Sequence, residues 1–322
     1  MLSRDLIDRE IYGRLTEQIR KSKCATTYLF TGEEEEKKKA LARAFAKALN
    51  CENQSFDLEC TCDICRRIDD GNFSDVTWYG LDEEINSLKI GQIREFIHQL
   101  GLKPVEGKTK VFIFNQAELL TPDAQNALLK SLEEPPPGNV IILLVPHARN
   151  LFDTIISRAV EVKVLPFKDE ELSQILIDEG IAPSEADYLA RISRGNLKYA
   201  RKAHDQEWFE ERKQWVSHLS RDPISFLDQF TSSKRDQALE VYDFLIEWSR
   251  DLLVTHASGG RSILIYAEQL YPFEQLVSQK DFDSLFELFE NLTMLRKSID
   301  ENGNVKLTLT QTQVVLERFL KT

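Results

Sequence analysis

Apolar positions in the first half of the chain alternate between two periods. Tyr28-Leu29-Phe30 is a short unbroken apolar run before Thr31-Gly32 and predicts a buried strand ending in a turn. Beyond the turn, Ala40, Leu41, Ala44, Phe45, Ala48 and Leu49 recur at helical spacing. A helix over residues 5–23 precedes this pair, with Leu6, Ile7, Ile11, Leu15 and Ile19 on one face. Strands are predicted at 75–79, 110–114, 140–145 and 160–164. Between them, Ser87 is placed to cap a helix carrying Ile90, Ile93, Ile97 and Leu100 and stopped by Gly101. Thr121-Pro122 opens another through Ala127, Leu128 and Leu132, which Pro135-Pro136-Pro137-Gly138 ends. Strands alternating with helices predict a parallel, doubly wound α/β domain over 1–165.

After Pro166 the period is helical only. Short helices are predicted at 169–179, 184–193 and 196–204, followed by an all-helical segment from 206 to 322. Phe244, Leu245, Trp248 and Leu252 form one apolar face there, and Phe282, Leu285, Phe286, Phe289 and Leu292 a second. Gly259-Gly260 and Asn302-Gly303-Asn304 mark turns.

Strand, glycine turn and helix at 26–51 are the frame of a phosphate-binding loop. The loop chemistry is missing. In the pattern G-x-x-x-x-G-K-[ST], only Gly32 and Lys38 match; Lys37 stands at the second glycine and Lys39 at the Mg²⁺-binding hydroxyl. Glu33 to Glu36 would repel a polyphosphate. Glu33/Lys37, Glu34/Lys38 and Glu35/Lys39 have instead the i,i+4 spacing that supports a longer helix, with the lysines on a solvated face. The fold is read as one that has lost its nucleotide.

Composition narrows the class. The chain has 322 residues, 42% hydrophobic, and a formal charge of −12, which argues against a general nucleic-acid coat. No apolar run approaches a membrane span of about 20 residues, and the start lacks a signal-peptide apolar region, so a cytoplasmic location is expected. The five histidines are scattered without a nucleophile partner; His98 and Trp208, Trp215 and Trp248 read as surface or packing residues. Four of the five cysteines, Cys51, Cys60, Cys62 and Cys65, crowd into one short loop, while Cys24 reads as packing. Four thiolates suit a tetrahedral structural zinc; the alternative is four reduced, unliganded thiols.

Several segments together resemble one family, the bacterial clamp-loader subunits of DNA polymerase III, AAA+ proteins of the gamma/tau and delta prime type. They are residues 28–52, the cysteine cluster, 110–144 with its Asn126-Ala127-Leu128-Leu129-Lys130-Ser131-Leu132-Glu133-Glu134-Pro135-Pro136 run, and 151–162. The resemblance implies a P-loop NTPase-like AAA+ core over 1–165 with a zinc module at 51–65. A helical lid over 166–206 and an all-α oligomerisation collar over 207–322 follow from it. The family's C-x8-C-x2-C-x2-C pattern stands here as C-x8-C-x-C-x2-C. The acidic pair that holds Mg²⁺ in active members falls on Asn115 and Gln116, the sensor on Val145-Pro146, and the lid arginine on Lys198. The resemblance therefore implies the delta prime type, which binds no ATP and is no enzyme alone but an accessory subunit of a holoenzyme whose nucleotidyltransferase lies elsewhere. Its Ser-Arg-Cys motif appears as Ser157-Arg158-Ala159, so Arg158 is expected to reach a neighbour's ATP site in trans. On the residues alone Arg158 is a surface arginine paired with a group such as Glu161. Implied partners are gamma/tau and delta subunits, and the sliding clamp and primed DNA through the complex. Two alternatives stay open: a divergent gamma/tau-type ATPase, and a zinc-dependent nucleic-acid-binding module. Gln125 and Lys130 are expected to be free for a subunit or DNA contact.

Overall fold

A computed structural model describes residues 6–80, 87–88, 90–133, 135–258, 264–266 and 270–321. Its elements run α1 (Arg9–Arg20), β1 (Thr27–Thr31), α2 (Glu35–Asn50), α3 (Asp63–Asp69), β2 (Val76–Tyr79), α4 (Ile90–Leu100), β3 (Lys110–Phe114), α5 (Pro122–Glu133), β4 (Asn139–Val145), α6 (Asp153–Ile156), β5 (Val160–Lys163) and α7 (Asp169–Asp178). Then come α8 (Pro183–Ser193), α9 (Leu197–Asp205), α10 (Trp208–Arg221), α11 (Pro223–Asp228), α12 (Arg235–Ser258), α13 (Leu270–Val277), α14 (Phe282–Asp300) and α15 (Val305–Lys321). They form two compact units. The first holds the chain up to Asp178 together with Arg194–Lys198; the second holds Glu179–Ser193 and Tyr199 onward.

The first unit is a parallel sheet in the order β2-β3-β4-β1-β5. Strand residues alternate between its two faces, and both are covered over β1, β3 and β4, which is why these strands read as near-continuous apolar runs. Tyr28, Phe30, Val111, Ile113, Ile142 and Leu144 pack with α1 and α2. Leu29, Phe112, Phe114, Ile141, Leu143 and Val145 pack with α4 and α5. Phe96 of α4 meets Phe112 edge-on at 5.0 Å, and Tyr79 stacks on Phe114 at 4.7 Å. This is the parallel α/β domain with flanking helices that the pattern predicted.

Helix ends follow local chemistry. Asp8 caps α1 by accepting from the N–H groups of Glu10 and Ile11, so the helix starts there and leaves Leu6 and Ile7 outside it. Thr121 Oγ1 accepts from Ala124 N–H at 3.3 Å ahead of Pro122, as predicted. Ser87 does not adjoin α4; the next residue, Leu88, pairs with Leu120 instead. Gln125 is not free: it is buried, its Nε2 donates to Leu120 O and its Oε1 accepts from Phe152 N–H.

The described residues of the second unit form helices and the turns between them, with no strand. Phe244, Leu245, Trp248 and Leu252 of α12 are buried as predicted. The second face is only half right. Leu285 and Leu292 of α14 are buried, but Phe282 and Phe286 are 48% and 43% exposed and stack on each other. Asn302-Gly303-Asn304 lies between α14 and α15; Gly259-Gly260 and Glu134 lie outside the described residues.

Candidate functional site

The loop after β1 that starts at Gly32 lies at the carboxyl ends of β1, β3 and β4, where open α/β sheets bind ligands. Gly32 has φ +144°, and a Cβ there would meet Val164 O at 2.1 Å. Its N–H is used internally, donating to Val145 O and Pro146 O at 3.2 and 3.0 Å. Helix α2 begins at Glu35, so Glu33 and Glu34 are outside it and their i,i+4 pairs do not form. Glu35 alone keeps its partner, Lys39, at 2.5 Å. Glu33 pairs with His147 at 2.9 Å.

The lysines are not a solvated face. Lys37 and Lys38 are both buried, Lys37 because the chain after β5 packs across it. Lys37 Nζ sits 4.0 Å from the Phe167 ring centroid, donates to Pro166 O and lies 3.6 Å from Glu171. Lys38, 4% exposed, has no ion pair within 4 Å among the described residues. Burial lowers its pKa against the pull of Glu118, Glu35, Glu33 and Glu34. Burial likewise raises Glu34 and Glu118. Burial also opposes ionisation of Glu35, but the hydrogen bond and charge of Lys39 and the Asn115 amide override it.

Asn115 and Gln116 follow β3. Asn115 is buried, with Nδ2 donating to Gly80 O at 2.9 Å and to Glu35 Oε1 at 3.4 Å; its Oδ1 has no partner among the described residues. Gln116 is left-handed, φ 51°. Lys198, exposed on α9, acts on Glu35 through space. The structure therefore gathers Gly32, Lys38, Asn115, Gln116 and Lys198 into one region of the first unit. Neither residue directly after β3, Asn115 or Gln116, carries a carboxylate.

Arg158 lies past α6, just before β5. Its Nη2 contacts Glu133 Oε1 of α5 at 2.7 Å and its Nη1 donates to Thr154 O at 2.7 Å. The partner is thus Glu133 and not Glu161, whose carboxylate accepts from Thr31 Oγ1 across the sheet at 2.9 Å. Arg158 remains a third exposed, 34% by side chain.

The four clustered cysteines converge. Cys51 ends α2, Cys60 is in the loop, Cys62 precedes α3 and Cys65 lies in its first turn. Their sulfurs all lie within 4.8 Å of one another, with Cys51 and Cys60 3.5 Å apart. Zn–S bonds of about 2.3 Å put tetrahedral sulfurs roughly 3.8 Å apart, so the donor set fits a zinc ion in number, type and spacing. The short middle spacing does not prevent convergence, because Cys62 and Cys65 are turned inward by α3, an element the sequence pattern did not predict. The Cys62 backbone N–H lowers Cys60 to about 6, whereas burial raises Cys65. The module is tied down by Lys47, which contacts Asp69 at 2.6 Å, and by Arg67, which takes Glu106 with both terminal nitrogens.

Sequence reasoning missed the partners of Glu34, Lys37 and Arg158. Glu34 Oε2 accepts from Leu197 N–H at 2.8 Å across a separation of 163 residues. An acidic residue just before a helix was the visible signal for a cap; what else it touches depends on the tertiary fold.

The family model described as DNA polymerase III, delta subunit, matches residues 7–168. The delta prime subunit of Bacillus subtilis DNA polymerase III is 26% identical over 302 residues, covering 91% of both chains. The tau subunit of Escherichia coli DNA polymerase III is 31% identical over 227 residues, covering 68% of this chain and 34% of that one. The chain thus spans nearly all of the first relative and about a third of the second. Among solved structures, a Thermotoga maritima protein described as gamma subunit-related aligns with TM-score 0.45 and 20% identity, covering 96% and 98%.

Proposed function

The chain belongs to the DNA polymerase III delta-subunit family as a clamp-loader subunit of delta prime type, and on that premise we propose that it is the nucleotide-silent member of its loader. In this reading the core over 1–165 carries a lid over 166–206, and a collar over 207–322 holds it among gamma/tau and delta subunits. The assembly opens a sliding clamp and places it on primed DNA in the cytoplasm. The chain itself neither binds nor hydrolyses ATP.

The observation that carries silence is the filling of the phosphate region by the chain's own groups: Gly32 N–H is spent on β4, carboxylates surround Lys38, and Asn115 replaces the metal-binding acid. Arg158 is the contribution to chemistry. It stands on the rim of the core, partly exposed, held by one carboxylate from which a neighbour's phosphates can draw it. Cys51, Cys60, Cys62 and Cys65 would hold a structural zinc, whose part is to close the loop between α2 and α3.

Silence is tested by titrating the purified chain with a fluorescent ATP analogue and Mg²⁺. The expected result is no saturable signal. Saturable binding, displaced by ATP, would favour the divergent gamma/tau-type ATPase. Replacing Glu35 and Lys37 by glycine and Lys39 by threonine is expected not to give turnover, since Asn115 still lacks charge.

A further inference from the structure

Glu34 immediately precedes α2 and is 1% exposed. Its Oε1 accepts from Glu36 N–H at 3.2 Å, in the first turn of α2. Its Oε2 accepts from Leu197 N–H at 2.8 Å, the first residue of α9. One carboxylate therefore meets two helix N-termini at once, where backbone N–H groups lack intrahelical partners. Convergent N–H donors of this kind are what a phosphate group is held by. The buried cation beside them, Lys38, hydrogen-bonds through its own N–H to Glu34 O and has no ion pair within 4 Å among the described residues. The backbone is built for close approach on the far side too. Gly195, at φ +81°, would place a Cβ 2.3 Å from Phe167 O, so the strap 194–198 lies flat against the segment after β5.

A buried carboxylate is costly unless its oxygens are satisfied. Here both oxygens are spent on holding the strap to α2. We propose that Glu34 is a built-in anion standing in for a phosphate group: it clasps residues 194–198 to the start of α2 without any nucleotide. The pocket it fills becomes a site for a phosphate-class anion once its carboxylate is removed. Lys38 is the cation that pairs with such an anion. The inference rests on the reading that this site holds no nucleotide, and adds what fills it instead.

The test uses the full chain and its Glu34→Ala, Glu34→Gln and Glu34→Ala/Lys38→Met variants, with inorganic phosphate as probe and chloride at matched ionic strength as control. Backbone amide exchange at Leu197 and the melting temperature are read. In the unaltered chain Leu197 is expected to be protected and phosphate to change nothing. Glu34→Ala is expected to lose at least about tenfold of that protection, the scale of a hydrogen bond to a charged group, and to regain it saturably with phosphate. The double variant is expected not to regain it. Glu34→Gln keeps the shape and one acceptor oxygen, so faster exchange at Leu197 or Glu36 with an intact melt separates the clasp from a folding defect. Unchanged exchange at both amides in both single variants would overturn the proposal, as would loss that phosphate does not restore. Binding of the ATP analogue by the unaltered chain would instead overturn the silent-site reading, and Leu197 exchange in Glu34→Gln would still decide the clasp.

Discussion

Gly32 is the residue that most resembles a phosphate-loop remnant, yet its constraint is mechanical. With φ +144° and Val164 O 2.1 Å from any added Cβ, Gly32→Ala is expected to destabilise the chain by about 2 kcal/mol or more, read by chemical denaturation. A change below about 0.5 kcal/mol would show that the backbone there gives way easily. A second residue-scale consequence concerns Glu247 of α12, whose carboxylate accepts from the Tyr266 hydroxyl at 2.8 Å. Desolvation raises it from 4.5 to about 7, against the hydrogen bond from Tyr266 and the charge of Arg212. The folded state then holds a proton that the unfolded state releases. Its contribution is therefore complete below pH 4.5 and is lost as pH rises through about 7. Glu247→Gln is expected to flatten the fall in stability across that window, which is on the order of 3 kcal/mol; parallel curves for both proteins would contradict it. Gly32 and Lys38 were legible as motif matches. That Lys37 is buried under Pro166 and Glu34 bridged to Leu197 was not, because both depend on chain 129 to 163 residues away.

At the scale of elements, local signals set most boundaries. The Thr121-Pro122 start of α5 follows from capping chemistry, and the central strands β1, β3 and β4 from apolar runs covered on both faces. Helices α3 and α6 escaped, and the buried face of α14 was only half read. Helix α3 has seven residues, three of them charged near its middle and end, and is held by tertiary ties rather than propensity. Helix α14 carries apolar residues on more than one face, so spacing alone does not tell Leu285 and Leu292, which are buried, from Phe282 and Phe286, which are not. The cysteine module joins α2 to α3 and, through Arg67 and Glu106, to the loop before β3, where Asp75 accepts from the N–H groups of Val105, Glu106 and Gly107. One zinc per chain is expected by metal analysis. Its removal by chelation should lower the melting temperature and speed amide exchange at 63–69 and 105–107. Chelation without effect on either would leave the module four reduced thiols.

For the whole molecule, the parallel sheet and the helical remainder were readable because each rests on a repeated period. The functional reading was not readable from period or composition; it came from motif positions that the fold then gathered near the ends of β1, β3 and β4. Arg158 lies apart from them, before β5, and its pair with Glu133 is exposed enough to be worth only about 0–1 kcal/mol. Arg158→Ala should therefore leave stability and assembly unchanged, so that any kinetic effect reports its action on a neighbour. The deciding measurement is ATP hydrolysis by the loader reconstituted with its clamp and primed DNA, comparing the unaltered chain with Arg158→Ala after sizing confirms that both assemble. An arginine finger is worth on the order of 10³-fold or more at its own site, while other sites in the ring keep theirs. A partial fall in turnover with intact assembly is the expected result. Undiminished turnover would reduce Arg158 to a surface residue, and failure of the unaltered chain to assemble would contradict the clamp-loader account itself.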